Sequence, residues 1–409
     1  MGARPSAVTF SGHSRGSASY RRLIGGLFFA GIATFAQLYS PQSVLPLISD
    51  DLRVSPATAA LTVSAATLGL AVAVIPWSSV ADRLGRVRAM AIGVVAATCF
   101  GLAAPFSADV GTLLALRLLE GAALGAVPSV ALVYLSEEVE RRSVAAAAGS
   151  YIAGTTVGGL LGRVLSGLVA ELGDWRLGLG STAMVCALSA VVFLWLVPRP
   201  RRFADARADA EARSLLQRVF ACIGSAPQLA LYAQGLLLMG AFVAVYNYLG
   251  FHLTAEPFLL PAWLVTLLFL AYLAGTASSP LAGALASARG RFPVLLGSMA
   301  VMSLGALLML VPQTLVVLIG LLLFTAGFFG AHAVASGWTP VAAPPGTGSQ
   351  ASSLYYFSYY AGSSLFGWGL GIVFGVADWS WFVAGVVAMC VLSAAVAVIG
   401  LRSESTGRV

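Results

Sequence analysis

The sequence contains no lysine, because all 23 of its basic residues are arginine. A nucleotide-binding loop of the Walker A type needs a lysine for the phosphates, so that class of site is excluded. A lysine Schiff base to retinal or pyridoxal phosphate is excluded for the same reason.

Cysteine and histidine are also scarce and scattered. The four cysteines form no closely spaced pair, and the three histidines share no metal-ligand spacing; these residues are Cys99, Cys186, Cys222, Cys390, His13, His252 and His332. We therefore predict no disulfide framework, no metal site and no bound cofactor.

Charged residues are scarce as well. Only 10% of the 409 residues are charged, whereas a soluble chain has about a quarter, and the mean hydropathy is +0.90. Apolar runs of about 20 residues suit helices that cross a bilayer, whereas barrel strands would alternate over about 10 residues. The composition predicts an all-α membrane protein whose partner is the lipid bilayer, and the net charge of +7 is better explained by topology than by nucleic acid.

The apolar runs predict twelve spans in two groups of six. The first group lies at 22–48, 57–80, 89–106, 112–135, 144–170 and 177–197, and the second at 229–252, 262–286, 293–311, 315–338, 350–374 and 380–401. The implied organisation is a tail (1–21), a six-helix bundle (22–197), a charged linker (198–228), a second bundle (229–401) and a tail (402–409).

The arginines are distributed unevenly between the two sides of such a topology. Nineteen fall in the tails, the linker and the loops of one side, and only Arg53 and Arg176 fall on the other. Positive loops stay in the cytoplasm. This predicts that both termini are cytoplasmic.

The second half of the chain repeats the first. The stretch YIAGTTVGG at 151–159 returns as YYAGSSLFG at 359–367. Two six-helix halves in parallel register are typical of transporters that expose a midplane site alternately to each side.

The loop after span 2 reads SVADRLGRVRAM, and it resembles the G-x-x-x-D-R-x-G-R signature of the major facilitator superfamily. Ser78 replaces the first glycine and Val87 a basic residue; the matching positions are Asp82, Arg83, Gly85, Arg86 and Arg88. In the second half, the corresponding positions of the signature are occupied by Gly283, Gly290 and Arg291. The resemblance implies that this loop is a conformational latch, with the 8–9 loop as its counterpart.

Other stretches extend the resemblance to the twelve-span drug:proton antiporter branch and its bacterial arabinose-efflux-type permeases. They are RLLEG at 117–121, GSYIAGTTVGGLLGR at 149–163, which lacks the branch's Gly-Pro, and GSQASSLYYFSYYAGSS at 348–364. The resemblance implies a monomer with two pseudo-symmetric six-helix bundles in the bacterial inner membrane. It also implies a small-molecule substrate and a proton gradient as the energy source.

Three charges lie inside predicted spans, where charge is costly and usually functional. Arg117 and Glu120 share one face of span 4, and Arg163 lies at a similar depth in span 5. One hypothesis is a proton-coupling cluster in which movement of an arginine changes the protonation of Glu120. The alternative is a static ion pair that fixes the two spans.

Polar and aromatic residues of spans 1, 7, 10 and 11 are candidates for the substrate cavity. They are Gln37, Tyr39, Gln42, Gln234, Tyr246, Asn247, His332, Tyr359 and Trp368. His332 could instead be a packing residue with a hydrogen bond. The small residues of span 5, including Gly154, Gly158 and Gly159, predict close helix packing.

The favoured interpretation is a proton-coupled exporter of small amphipathic compounds, drugs or sugars. An uptake symporter or facilitator for a metabolite is the nearest alternative, and a membrane-embedded transferase is an alternative of another class. The acids of the predicted outer loops are dispersed, so we expect no enzyme. Because His332 is the only candidate cation in the C-terminal half of the cavity, we expect a neutral or cationic substrate.

Overall fold

The computed structural model describes residues 12–200 and 215–406, and in these ranges the chain is helical, with one isolated bridge between His13 and Val139 and no strand. Part of the predicted linker and both ends of the chain lie outside the described residues. The same is true of six arginines that entered the topology count: Arg4, Arg201, Arg202, Arg207, Arg213 and Arg408.

The helices fall into the two groups that the sequence predicts. In the N-terminal half, the spans are Ala18–Asp51, Pro56–Leu84, Arg86–Phe106, Val110–Glu138, Arg141–Ala170 and Trp175–Leu196. In the C-terminal half, they are Ala226–Thr254, Ala262–Arg289, Arg291–Leu308, Thr314–Trp338, Gly348–Val376 and Trp379–Thr406. A shorter helix, Leu215–Ile223, precedes span 7. It lies within the predicted charged linker (198–228).

Eleven of these helices are long and apolar enough to cross a membrane. The remaining long helix, span 11 (Gly348–Val376), has the necessary length at 29 residues but begins with a run of serine and tyrosine. It packs between span 7 and span 2, so much of it faces protein. The chain is a multi-pass membrane protein.

Three spans are interrupted, and their bounds show where. Span 1 consists of Ala18–Tyr39, a 3-10 segment Ser40–Val44 and Leu45–Asp51. Span 4 consists of Val110–Leu124 and Ala126–Glu138, and span 8 of Ala262–Leu267, a 3-10 segment Leu268–Ala271 and Tyr272–Arg289. Broken helices at membrane depth usually line a cavity or binding site.

The internal repeat is visible in the backbone. Gly85 (φ 98°) separates spans 2 and 3, and Gly290 (φ 90°) separates spans 8 and 9. An L-residue with a side chain rarely adopts this φ, so glycine is needed for the sharp turn. Spans 2 and 8 also each contain an internal proline, Pro76 and Pro280.

We call the end of the bundle with the 2–3, 4–5 and 8–9 loops the arginine-rich end, after Arg83, Arg86, Arg141, Arg142 and Arg289. The end with the 1–2 and 3–4 loops is the opposite end. There, Asp51 accepts hydrogen bonds from Nε1 of Trp175 (2.9 Å) and Nη1 of Arg176 (2.6 Å), which joins spans 1 and 6.

Candidate functional site

The break in span 1 creates a hydrogen-bond acceptor inside the N-terminal half. Pro41 has no N–H, so the carbonyl of Gln37, four residues earlier, lacks its usual helical donor and accepts hydrogen bonds from the backbone N–H and the hydroxyl of Ser40 instead. The guanidinium of Arg117 donates to this carbonyl (Nη1, 3.1 Å), to the carbonyl of Leu38 (Nη2, 2.7 Å) and to that of Thr62 in span 2 (Nε, 3.0 Å). Arg117 therefore stabilises the broken end of the first helical segment.

The same guanidinium forms an ion pair with Glu120. Nη1 of Arg117 lies 2.6 Å from Oε2 of Glu120, and the two side chains are only 2% and 1% exposed. When the amide of Gln37 is turned to suit its neighbours, its nitrogen donates to Oε1 of Glu120 (2.7 Å) and to the carbonyl of Ala97 in span 3 (3.1 Å). Both carboxylate oxygens of Glu120 are thus hydrogen-bonded.

Gln37 consequently lies inside the N-terminal half, between spans 1, 3 and 4. A Cβ at Gly101 of span 3 would lie 2.9 Å from both the Gln37 and the Glu120 side chains, so this glycine leaves room for the pair. This placement corrects the prediction that Gln37 faces the substrate cavity.

Arg163 occupies a separate position, between the two halves. Its Nε donates to Oε1 of Gln42 (2.6 Å), its Nη1 to the carbonyl of Gly159 and its Nη2 to the hydroxyl of Tyr272 in span 8 (2.9 Å). The guanidinium carbon also lies 4.4 Å from the ring centroids of Tyr39 and Tyr272. The side chain is 2% exposed.

The three charges predicted to form one cluster thus divide between two sites. Glu120 forms an ion pair with Arg117. None of the ion pairs among the described residues includes Arg163. Span 1 connects the two sites, because Arg117 binds the carbonyls just before its break and Gln42, within the break, binds Arg163.

Hydrogen bonds across the cleft between the halves lie towards the opposite end. Nε2 of Gln42 donates to Oδ1 of Asn247 in span 7 (2.8 Å), and Oγ of Ser364 donates to the carbonyl of Ser64 (2.9 Å). Spans 5 and 8 are so close that a Cβ on Gly167 would lie 2.2 Å from the Thr266 hydroxyl. Asn247 therefore belongs to a contact that closes the cleft at the opposite end.

An aromatic group lines the cleft nearer the arginine-rich end. Nδ1 of His332 lies 2.9 Å from the hydroxyl of Tyr355, and its ring centroid lies 4.8 Å from that of Tyr359. Tyr356 is 38% exposed and lies two helical turns before Ser363, which adjoins Tyr39. Tyr356 is therefore an exposed aromatic residue nearer the arginine-rich end.

Three other cavity candidates have different surroundings. Gln234 hydrogen-bonds to Ser393 of span 12, so it lies inside the C-terminal half. Trp368 lies on the same exposed helix face as Leu365 and Ile372, which is the lipid-facing side of span 11. The cavity assignments of Gln234 and Trp368 are therefore wrong. Tyr246 is bonded to Thr325 of span 10 (2.7 Å) and stacks against the rings of spans 7 and 8.

The 2–3 loop contains an ion-pair triad that sequence reasoning found only in part. Arg86 contacts Asp82, and its Nη2 lies 2.9 Å from Oε1 of Glu137 at the end of span 4. Glu137 was not predicted, although the acids next to Arg141 and Arg142 in SEEVERR were a signal for it. Arg83 and Arg88 are exposed at the surface of the loop.

The 8–9 loop, which is the counterpart in the second half, has the same glycine turn as the 2–3 loop but not its acidic residue. Gly290 makes the turn, and Arg291 begins span 9, the helix Arg291–Leu308. Gly283 has open space where a Cβ would lie. Ser287 occupies the acidic position, so this side has no equivalent of Asp82.

The span 5 glycines have two kinds of environment. A Cβ on Gly154 would lie 2.2 Å from the carbonyl oxygen of Phe28, and one on Gly158 would lie 2.7 Å from Cα of Ile32, so both abut span 1. Gly159 instead lies beside Arg163, and the carbonyl of Gly159 accepts a hydrogen bond from Nη1 of Arg163.

Two six-helix halves around a cleft, with a charged turn after span 2, define a transporter architecture, and a sequence profile decides the family. The profile of the Major Facilitator Superfamily matches residues 27–367. The chain belongs to the Major Facilitator Superfamily. Members of this superfamily are secondary transporters and not enzymes, so the transferase alternative is excluded.

Curated relatives extend over most of the chain. It is 34% identical over 353 residues to the MFS-type transporter YybF of Bacillus subtilis, which covers 86% of this chain and 87% of the relative. It is 36% identical over 353 residues to the inner membrane transport protein YnfM of Escherichia coli, covering 86% and 84%.

Solved structures of the superfamily share the fold. The nucleoside transporter NupG aligns with a TM-score of 0.75 over 94% of this chain and 100% of that chain, at 15% identity. The xylose transporter XylE of Escherichia coli, in a partially occluded inward-open conformation, aligns with a TM-score of 0.73 over 94% and 98% of the two chains, also at 15% identity. The predicted fold class is confirmed.

Proposed function

We propose that this superfamily member is a proton-coupled exporter of small amphipathic compounds in the bacterial inner membrane, with both termini in the cytoplasm. The distribution of arginines between the two sides supports this orientation. The relative YnfM, which is named as an inner membrane transport protein, supports the location.

The observation that carries the proposal is the environment of Glu120. Among the aspartates and glutamates in residues 12–200 and 215–406, it alone lies deep within a span, whereas the others lie in loops or near span ends. A proton that crosses the membrane with each cycle needs a group that can bind and release it at that depth, and such intramembrane carboxylates typically serve as proton relays.

Span 1 provides the connection between Glu120 and the cleft. Arg117 holds Glu120 and also binds the carbonyls of Gln37 and Leu38, just before the break. Gln42, within the break, binds both Arg163 and Asn247 of the other half. When the halves rock and Gln42 leaves Asn247, the strain on span 1 changes the contact between Arg117 and Glu120, so protonation follows conformation.

In the proposed cycle the cleft opens to each end in turn, and the proton gradient sets the direction of transport. The hydrogen bonds of Gln42 to Asn247 and of Ser364 to Ser64 join the halves towards the opposite end, so we take this conformation as the one that admits a compound from the arginine-rich end, which the orientation above assigns to the cytoplasm. In this conformation a compound enters from the cytoplasm, and rocking releases it outside. The triad of Arg86, Asp82 and Glu137 supplies the charged surface that meets the other half when the cytoplasmic end closes.

The test uses the full chain in proteoliposomes that contain a trapped pH indicator. Ethidium, benzoate and arabinose are added separately under an imposed pH gradient, and the proton flux evoked by each compound is recorded. We expect at least one compound to evoke proton movement opposite to its own movement in the wild type, and none to do so in Glu120→Gln. Arg176→Gln is the matched control, since Arg176 lies at the surface of the opposite end.

Three results would contradict the proposal. Proton movement in the same direction as the compound would establish symport. Compound movement with no proton flux would establish facilitated diffusion, and unchanged proton flux in Glu120→Gln would remove Glu120 from the coupling mechanism.

A further inference from the structure

The guanidinium of Arg163 has no counter-charge among the described residues. It is 2% exposed, and none of the ion pairs within the ranges 12–200 and 215–406 includes it. A buried charge without an opposite charge is costly in a protein and more so in a membrane. By contrast, the other buried arginine, Arg117, is neutralised by Glu120.

The hydrogen bonds of Arg163 leave part of its donor capacity unused. A guanidinium has five N–H groups. Three of them donate to Gln42, Gly159 and Tyr272. The remaining two, one on each terminal nitrogen, have no acceptor in the described part of the chain.

Buried hydroxyl groups without a hydrogen bond of standard geometry occur on spans 1, 2 and 11. The hydroxyls of Tyr39 and Ser363 are buried and adjoin each other without a hydrogen bond of standard geometry, and the buried hydroxyl of Ser64 makes no hydrogen bond within the described residues. Tyr39 stacks on Arg163, Ser363 adjoins Tyr39, and Ser64 lies beside Gly367. Buried polar groups are nearly always satisfied, so a group of unsatisfied ones around one cleft indicates a polar ligand.

We propose that the transported compound carries a single carboxylate that binds Arg163 and the neighbouring hydroxyls, and an aromatic or alkyl body that lies against the tyrosines of span 11. This rests on the function proposed above, in that the cleft is taken to be a transport site. One uncompensated positive charge is balanced by one negative charge. A monocarboxylate therefore fits better than a phosphate ester, and a neutral sugar would leave the charge uncompensated.

The aromatic side chains in the cleft indicate the apolar part of the compound. Tyr355 and Tyr359 surround His332, and Tyr356 is exposed next to them. Rings of this kind accept flat apolar groups by stacking. The proposal replaces the expectation of a neutral or cationic substrate. That expectation considered cations of the C-terminal half alone, whereas Arg163 belongs to the N-terminal half and reaches Tyr272 across the cleft.

The test is equilibrium binding to the purified full chain in nanodiscs without any gradient. Benzoate, phenylacetate and 2-naphthoate are each compared with the corresponding amide, which keeps the shape and removes the charge. We expect at least one carboxylate to bind about tenfold or more tightly than its amide, since hydrogen bonds to charged groups are among the strongest in proteins.

Variants then test whether the preference for the carboxylate over the amide depends on Arg163. Arg163→Gln is expected to reduce it to less than about twofold, and Arg163→Lys, which keeps the charge, to retain part of it. Tyr272→Phe releases one more N–H and is expected to leave the preference intact or to increase it. Arg176→Gln is the matched control and should behave as the wild type. Should Arg163→Gln fail to fold, the wild-type comparison together with Arg163→Lys and Tyr272→Phe still decides the question.

Two results would overturn the inference: every carboxylate binds no more tightly than its amide in the wild type, or the preference persists in Arg163→Gln. Because binding is measured without a gradient, an intact preference together with absent proton flux counts against proton coupling alone. Proton flux evoked by ethidium or arabinose, with no carboxylate preference, counts against this inference alone.

Discussion

Arg117 donates to the backbone carbonyl of Gln37, the carbonyl that Pro41 leaves without its helical N–H donor. A side chain of span 4 thereby adds a hydrogen bond to those that Ser40 makes with this carbonyl at the break of span 1. Since the same guanidinium forms the ion pair with Glu120, the backbone of span 1 at its break and this buried carboxylate share one partner. This relationship is the basis of the predictions that follow.

The first prediction concerns the energetics of the buried ion pair. Arg117→Gln leaves Glu120 buried without its partner and should lower the free energy of unfolding by about 3 to 5 kcal/mol. The double variant Arg117→Gln/Glu120→Gln should be more stable than Arg117→Gln alone, because no unpaired carboxylate remains. Thermal unfolding in detergent measures all three, and additive losses would show that the two residues do not interact.

The second prediction concerns the break in span 1. Pro41→Ala restores an N–H that can bond to the carbonyl of Gln37 and competes with Arg117. We expect a protein that is at least as stable as the wild type but transports more slowly, because a straighter span 1 separates the cleft from Glu120. Pro56→Ala is the control, since Pro56 begins span 2 where no helical hydrogen bond is lost. Equal transport rates for the two variants would contradict the prediction.

The third prediction concerns closure of the opposite end. Gln42→Ala removes the hydrogen bonds to Asn247 and Arg163 and should shift the population towards the conformation that is open at that end. A net 0.5 to 1.5 kcal/mol per hydrogen bond corresponds to a shift of about twofold to tenfold. Labelling of Ser43→Cys by an impermeant maleimide, added from that end, should increase by this factor.

Gln234→Ala provides the comparison for the labelling experiment. Gln234 bonds to Ser393 within the C-terminal half, so its loss removes a buried amide without touching the contact between the halves. Its labelling rate should equal that of the parent. If both glutamine variants increase labelling equally, general loosening of the protein and not the loss of closure is responsible.

The fourth prediction concerns the triad at the arginine-rich end. The side chains of Arg86 and Glu137 are 13% and 14% exposed, and that of Asp82 is 64% exposed. Because such pairs lie near water, Glu137→Gln should lower the free energy of unfolding by only about 1 kcal/mol or less. It should nevertheless slow transport, and Arg86→Glu/Glu137→Arg should restore part of the rate.

Arg142→Gln is the matched control for the triad, because Arg142 is an exposed arginine of the same end whose ion pair with Glu140 lies outside it. Transport should be unaffected. If the loss of transport in a triad variant is no larger than its loss of stability explains, the triad is only structural.

The architecture could be predicted because it follows from strong local signals. Long apolar runs, the two glycine turns at Gly85 and Gly290, and the repeated stretch of spans 5 and 11 all lie in continuous sequence. Span 11 shows that composition alone has limits. Its polar residues exclude it from the helices that are apolar enough to cross a membrane, whereas the family resemblance and the repeat include it.

The site could be predicted only in part, because depth in a span does not determine which face a residue occupies. Trp368 lies at a suitable depth, but the spacing of Leu365 and Ile372 places its face towards lipid, and this signal was present in the sequence. Glu137 and Tyr272 were missed because their partners are 51 and 109 residues away. Arg163 was assigned to the Glu120 site because the sequence gives no distance between spans.

The most direct test of proton coupling separates exchange from accumulation. Glu120→Gln is reconstituted with a radiolabelled form of whichever compound evokes proton flux in the wild type. The account predicts that the variant still exchanges internal for external compound at a rate near that of the wild type, and that it no longer accumulates the compound against its gradient when a pH gradient is imposed. Accumulation equal to that of the wild type would contradict the account.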